Sequence, residues 1–524
     1  MQSISTYTSS VIQGFRQVGV FTAISRILGL VRDVLLALVL GAGAASDAFL
    51  VALKIPNFFR KITAEGALTN VFLPAYEKEV AETNKKTALH LVTEIQILLV
   101  VSLSCIVILF ELLMPSIIQF LAPGFKSTAE RLSAAVFLAR ITMPYLVMIS
   151  LVALWSALLN THRIFWPGAA APILFNLALI LGAIFVFLSA ESLSEETILV
   201  LTVPLAFSVL AAGLLQLLLI KIVLLKSKLN PSWRWTGLSK SGKEMWQSFV
   251  PAALSAGSVQ INVFIDMILA SLLQVGAISW LYYSDRINQL PLGIIGIALG
   301  TALLPHLAQL YANGKIEEMR ASLSNSLYLA SFFTLPAATA LMILSSVIIS
   351  GVFGYGAFDE ADVEATAKAL VAYALGLPAF VAQKLFQVVF YASNRPSLIL
   401  LISSITVFTN IVLSIILMQI IGHIGLALGT SISAWGATLW FTYLLIKEGY
   451  LIKNSFFRIL PLIMFCVLMA IFLITLEIWL NKMLFLNIYI LATLVFCGLF
   501  FYFGVSHLTG SIPSGLIKKN LPKN

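Results

Sequence analysis

From residue 18 onward the chain repeats one pattern, an apolar run of about twenty residues closed by a short polar break. A helix that crosses a bilayer needs about 20 mostly apolar residues, so each run predicts a spanning helix. Fourteen such runs fall at 18–40, 45–60, 88–114, 131–158, 166–189, 197–221, 244–272, 276–303, 322–350, 364–392, 397–420, 424–446, 456–478 and 484–507. The second is short and carries Asp47 and Lys54. The expected fold is an all-α polytopic membrane protein of about 14 transmembrane helices. The first ten residues are polar and the first run is interrupted by Arg26, Arg32 and Asp33, so no cleavable leader is expected.

Composition agrees with the pattern. Of the 524 residues 60% are hydrophobic and 10% charged, whereas ordinary globular domains carry about 25% charged residues. A soluble chain of this size could not cover its surface, which excludes a cytosolic enzyme, a secreted disulfide scaffold and a disordered chain. The net charge of +9 is better placed in loops than on a nucleic acid. Arg60, Lys61, Lys78, Lys85, Lys86, the basic residues of 221–243, Lys315, Arg320, Arg395, Lys447, Lys453 and Arg458 fall on one side; Lys126, Arg131, Lys368 and Lys482 fall on the other. Basic loops stay in the cytoplasm, so both termini are expected there. Cys105, Cys466 and Cys497 lie inside apolar runs and the five histidines are scattered. Neither a disulfide framework nor a metal-ligand spacing is readable. There is no phosphate-binding Gly-x-x-x-x-Gly-Lys loop and little sign of catalysis; no cofactor is expected.

The chain also matches itself. Pro144, Asn160 and Asn176 return as Pro378, Asn394 and Asn410 at one offset of 234; Phe125 returns as Phe358, and Pro74 as Pro305. An even number of helices separates the copies, so the two share one orientation. The expected organisation is an N-terminal lobe at 1–225 (helices 1–6), a cytoplasmic linker at 226–243, a second six-helix lobe at 244–450, and two extra helices with a tail at 451–524. Parallel repeats of this kind build transporters with a site between the halves.

Charges at membrane depth locate candidate chemistry, since each costs on the order of 3 kcal/mol at a helix centre. Arg26 and Asp33 stand seven residues apart and share a helix face. Asp285-Arg286 interrupts an apolar run. Structural ion pairing would account for both groups; their cationic bias, with Arg32 and Arg60, favours a wet cavity for an anionic, phosphorylated substrate, because arginine forks match phosphate oxygens. Lys54, Arg140 and Lys384 fit ion pairing or snorkelling equally well. Asp266, one turn after Asn262, fits two readings: a carboxylic acid hydrogen-bonded inside its lobe, or an oxygen donor for a hard cation or proton.

The segments Ser25–Asp33 (SRILGLVRD), Gly41 through Asp47-Ala-Phe, Lys54-Ile-Pro-Asn57, Arg60 through Glu65-Gly66-Ala67, Ala122-Pro-Gly-Phe125 and Tyr282-Tyr-Ser-Asp-Arg286 resemble the bacterial lipid II flippase family MurJ, part of the multidrug/oligosaccharidyl-lipid/polysaccharide exporter superfamily. The resemblance implies an undecaprenyl-pyrophosphate substrate carrying the peptidoglycan precursor, moved between leaflets by alternating access. It implies that Arg32, Arg60 and Arg286 grip the pyrophosphate, with Arg26 and Ser25 lining the same cavity. Asp33, Asp47, Lys54 and Asp285 would support gating or arginine placement, Glu65 would sit at the cytoplasmic portal, and the last two helices would cradle the lipid tail. Where the family often has a second arginine, this chain has Lys61, a point charge in place of a fork. A sodium ion held by Asp266, Asn410 and Thr430 is implied by some relatives; Ser414 stands where a second carboxylate would strengthen it. The partners implied are lipid II, the phospholipid bilayer, and peptidoglycan synthesis and division proteins, with no nucleic acid. The other readings are a flippase for a different polyprenyl-linked glycan and a membrane-embedded glycan-lipid enzyme using the acids at 359–364.

Overall fold

The computed structural model describes residues 2–62, 68–190, 198–452, 454–480, 482 and 487–513. Its ordered elements are α1 (Gln2–Leu40), α2 (Ala44–Ile62), α3 (Leu68–Glu82), α4 (Lys85–Leu121), α5 (Ala129–Thr142), α6 (Tyr145–Thr161), α7 (Trp166–Ala190), α8 (Ile198–Lys226) and α9 (Lys240–Ser271), then α10 (Ala277–Pro291), α11 (Ile297–Ala312), α12 (Ile316–Ile343), α13 (Ser345–Phe353), α14 (Glu360–Ala392), α15 (Pro396–Ile421), α16 (His423–Lys447), α17 (Asn454–Phe457), α18 (Leu460–Leu480) and α19 (Asn487–Leu508). Among the described residues ten helices are long and apolar enough to cross a membrane, with α5 and α6 forming one of them and α17 and α18 another. The chain is a multi-pass membrane protein. α1, α2, α9, α10 and α11 are not among the ten; apart from α11, they carry Arg26, Arg32, Asp33, Asp47, Arg60, Asp266, Asp285 and Arg286, singled out from the sequence.

The chain divides into two compact units, Met1–Gly276 and Ala277–Asn524. In the first, α7 packs between α1 and α8, α5 lies against α2 and α8, and α9 runs along α2, α3 and α4. Start signals are explicit. Asn84 accepts from the backbone N–H groups of Lys86 and Thr87 (both 2.9 Å), opening α4, and the Ser239 hydroxyl accepts from Gly242 N–H (3.1 Å), opening α9. Such caps satisfy donors that a helix start leaves without a partner. The buried Gln216 ties three helices, accepting from the Tyr145 hydroxyl (3.2 Å) and donating to the Ala171 carbonyl (2.8 Å).

In the second unit α14 is the axis, packed by α10, α11, α12, α13 and α16, while α15 lies on α16 and α18 and α19 pair with one another and with α12. The α15–α16 contact is backbone-close. A Cβ on Gly425 would meet the Leu417 carbonyl carbon at 2.4 Å, and one on Gly429 would meet the Ser414 hydroxyl at 2.7 Å. Gly425 and Gly429 form the small-xxx-small spacing that lets membrane helices approach each other. Gly422, at φ +60°, makes the turn that folds α16 back onto α15.

Several details depart from the sequence reading. The run at 131–158 is two helices broken at Met143–Pro144, whereas its counterpart is one continuous α14 with Pro378 inside it. The run at 276–303 is interrupted by a wide turn at Leu292–Gly296. α3, charged on one face and 15 residues long, was not anticipated. At the turn after the matched helices the left-handed residue is Arg163 (φ 61°) in one copy and Asn394 (φ 57°) in the other. The backbone thus equates Arg163, not Asn160, with Asn394.

Candidate functional site

Four of the expected site residues sit on α1, and three of them form one network. The Arg32 guanidinium donates from Nε (3.0 Å) and Nη2 (2.7 Å) to Oδ1 of Asp33, and from Nη1 to Oδ1 of Asn176 on α7 (3.0 Å). The Asn176 amide in turn donates to the Ser25 carbonyl (2.8 Å) and more weakly to its hydroxyl (3.4 Å). Asp33 is fully buried and the Arg32 side chain is 11% exposed, and the guanidinium lies 5.8 Å from the Phe175 ring. Asn176, which the repeat had marked without giving it a role, is the residue that fastens the polar stripe of α1 to α7. Arg26 is exposed, one face further along.

On α2 the charges separate. Arg60 is half-buried and its Nε donates to Oδ1 of Asn57 (3.3 Å); Lys54 is half-buried as well. Asp47 is buried near the other end of the helix, where Oδ2 accepts from Gly276 N–H (2.8 Å) and Arg131 Nη1 (3.4 Å). Arg131 is the functional-looking residue that sequence reasoning missed by placing it in an external loop. It is 2% exposed, stands 4.1 Å over the Phe125 ring, and its Nη2 reaches the Gly124 carbonyl (3.4 Å). The Ala-Pro-Gly-Phe segment is thereby the seat of a buried ion pair. Glu65 lies outside the described residues.

Glu94 of α4 accepts from Ser239 N–H (3.0 Å) and its hydroxyl (2.7 Å) at the start of α9. Arg140 stands 3.8 Å from Glu111 of α4, an ion pair as one of its two readings proposed.

In the second unit Asp285 accepts from the Gln289 amide one turn on, and Arg286 beside it is half-buried. The Lys384 stem lies against the wide turn after α10, its Cδ 3.1 Å from where a Cβ on Gly296 would stand. Asp362 accepts from the Trp280 indole (2.9 Å), fixing the start of α14 to α10. Of the oxygen donors, Asp266 accepts from the Asn262 amide (3.2 Å) within the first unit; Asn410 is buried and accepts from the Ser414 hydroxyl (3.4 Å) in the second, where Thr430 donates to the Leu426 carbonyl (3.0 Å). Among the described residues there is no group of three or more His, Cys, Asp or Glu arranged to hold a metal.

In the first unit the polar stripe of α1 and the charges of α2 offer hydrogen-bond donors and positive charge, with carboxylates that hold individual guanidinium groups in place; in the second unit α10 carries Asp285 and Arg286. Comparison with known proteins bears on what such a stripe serves. The family model described as "Lipid II flippase MurJ" matches residues 36–500. The chain is 33% identical over 524 residues to a probable lipid II flippase MurJ of Rhizobium tropici, covering 98% of this chain and 97% of that one. It is 34% identical to the corresponding protein of Rickettsia prowazekii (strain Madrid E), covering 82% of each. A solved lipid II flippase MurJ in an inward closed conformation superposes with a TM-score of 0.77 at 26% identity, over 94% of this chain and 98% of that one. An inward-facing multidrug resistance MATE family transporter shares the fold, with a TM-score of 0.66 at 16% identity over 81% and 95%.

Proposed function

The chain belongs to the lipid II flippase MurJ family, and from that premise we propose that it carries lipid II from the inner to the outer leaflet of the bacterial cytoplasmic membrane. The observation that supports this reading best is where the charges lie. α1, α2 and α10, which are not among the ten apolar spans, carry Arg26, Arg32, Arg60 and Arg286, and guanidinium forks are suited to a pyrophosphate. In the proposed cycle the head group enters a cationic cavity from the cytoplasmic side while the undecaprenyl tail stays in lipid. The arginines replace water around the pyrophosphate and offset its desolvation. Rocking of the two lobes, residues 1–225 and 244–450 joined by 226–243, then opens the outer side. Residues 451–524 receive the tail, and Asp33, Asp47, Lys54 and Asp285 hold the cations in register. Both termini face the cytoplasm in this reading, and synthesis and division proteins of the cell wall are the expected partners.

The test is lipid II exposure at the outer leaflet of cells in which this chain is the sole flippase, beside Arg286→Ala at matched protein level. Exposure lost only in the variant supports the reading. Exposure retained in both removes the arginine argument, and exposure in neither transfers belief to another polyprenyl-linked glycan. Sodium coupling through Asp266, Asn410 and Thr430 belongs to the same proposal, since carboxylate, amide and hydroxyl oxygens suit a hard cation. Equal flipping rates with and without sodium would remove it.

A further inference from the structure

Between α8 and α9 the chain runs without helix from Lys228 to Ser239, and this stretch has its own chemistry. From residue 221 to residue 243 there is no Asp or Glu, while Lys221, Lys226, Lys228, Arg234, Lys240 and Lys243 are all basic. Trp233 and Trp235 are 53% and 52% exposed, with Leu238 and Arg234 exposed beside them. An exposed pair of tryptophans costs solvation unless something covers it.

The stretch itself is fastened to the protein. The Gln96 amide donates to the Ser232 carbonyl (2.5 Å), Ser232 N–H donates to the Thr93 hydroxyl (3.2 Å), and Thr236 approaches the His90 ring (3.4 Å). Gln96 itself accepts from the Trp155 indole (3.0 Å). The two indoles stay half-exposed although the backbone of Ser232 beside them is held.

Height along α4 places the stretch relative to the bilayer. Gln96 precedes the end of α4 at Leu121 by about 38 Å at 1.5 Å per residue. The hydrocarbon layer is about 30 Å thick and the whole bilayer about 40–45 Å. With Leu121 at one edge, Gln96 and the segment hung on it fall in the opposite headgroup layer, where indole rings settle and where basic residues meet anionic lipid.

We propose that residues 226–243 form an interfacial anchor for anionic phospholipid headgroups of the cytoplasmic leaflet, with Trp233 and Trp235 inserted among them and Lys226, Lys228, Arg234 and Lys240 matching their phosphates. The surface commits to lipid because the tryptophans need an apolar neighbour that a free phosphate does not supply. None of its residues is among the arginines that the proposed transport uses, so its failure leaves that reading untouched.

The experiment uses the full chain in vesicles of phosphatidylcholine alone or mixed with phosphatidylglycerol, both containing lipids brominated just below the headgroup. The emission lost in the double variant Trp233→Phe/Trp235→Phe reports the two indoles. Expected is a blue-shifted, bromine-quenched signal in the phosphatidylglycerol vesicles that weakens with added salt. Changing Lys226, Lys228, Arg234 and Lys240 to Gln should weaken docking about fivefold per cation. Hydrogen exchange of amides 229–239 in the unaltered chain gives a second reading, with slower exchange expected when phosphatidylglycerol is present. A water-like, unquenched signal overturns the proposal. So does quenching or exchange that is the same in the two lipid mixtures.

Discussion

At the level of single residues the molecule pairs its buried charges, and the pairs differ in what they hold. Asp47 and Arg131, both almost fully buried, have exchanged hydration for one another, for Gly276 N–H and for the Phe125 ring. Removing one partner leaves a buried charge uncompensated, at a cost of roughly 3–5 kcal/mol. Arg131→Met or Asp47→Asn should therefore lower the thermal midpoint of the purified protein sharply, and the double variant should recover part of the loss. A midpoint unchanged in either single variant would contradict the pairing. Tyr76 on α3 makes the opposite case. It is 1% exposed, its hydroxyl has no hydrogen-bond partner among the described residues, and burial, with Glu77 adding to it, pushes its phenol up to about 12. The folded form holds the phenolic proton more tightly than the unfolded one, so this stability is complete below the unfolded value near 10 and fades as pH rises from there toward 12. Tyr76→Phe should be neutral or up to about 1 kcal/mol stabilising at pH 7. Denaturation profiles should show less alkaline loss in the variant between pH 10 and 12. An identical alkaline profile would remove the assignment.

Helices in this chain are set by composition and their contacts by small residues. Gly425→Ala should cost about 1–3 kcal/mol by forcing α15 and α16 apart. Gly436→Ala, in the same helix with open space around its Cα, should be neutral or gain up to about 1 kcal/mol from helix propensity. Melting curves of the two variants decide it, and equal midpoints would count against the close approach. The spans themselves were legible because a bilayer admits only long apolar helices, and even the short α2 was readable despite Asp47 and Lys54. α3 was hidden because Lys78, Glu79 and Glu82 break any apolar run in it, and a helix lying outside the spans needs only one apolar face. Arg131 was hidden for a related reason: its charge suggests a loop, and only the fold brings Asp47 and Phe125 to it. For the candidate site, sequence pointed to Arg32 and Asp33 but not to Asn176, since nothing in a lone asparagine of α7 tells which helix it will face.

For the molecule as a whole, the distribution of Lys and Arg makes a topological prediction. With the three native cysteines changed to serine, a membrane-impermeant thiol reagent applied outside spheroplasts should label Glu360→Cys and spare Lys86→Cys. Inverted vesicles should give the reverse. Labelling of both from one side would break the proposed orientation and, with it, the leaflet assigned to the linker. The two compact units also qualify the repeat. By sequence α9 opens the second copy, yet its packing partners are α2, α3 and α4, so a helix can be cognate with one half and packed with the other.

The way Arg32 is held has a consequence for timing. Three of its five donors are engaged by Asp33 and Asn176, so in the proposed cycle an incoming anion shares the guanidinium with acceptors already there. Sharing costs the anion part of its attraction on arrival and returns it on departure, when Asp33 is waiting to close the gap. In that cycle an arginine with a resident counter-charge would favour quick release over tight grip, turnover rather than affinity.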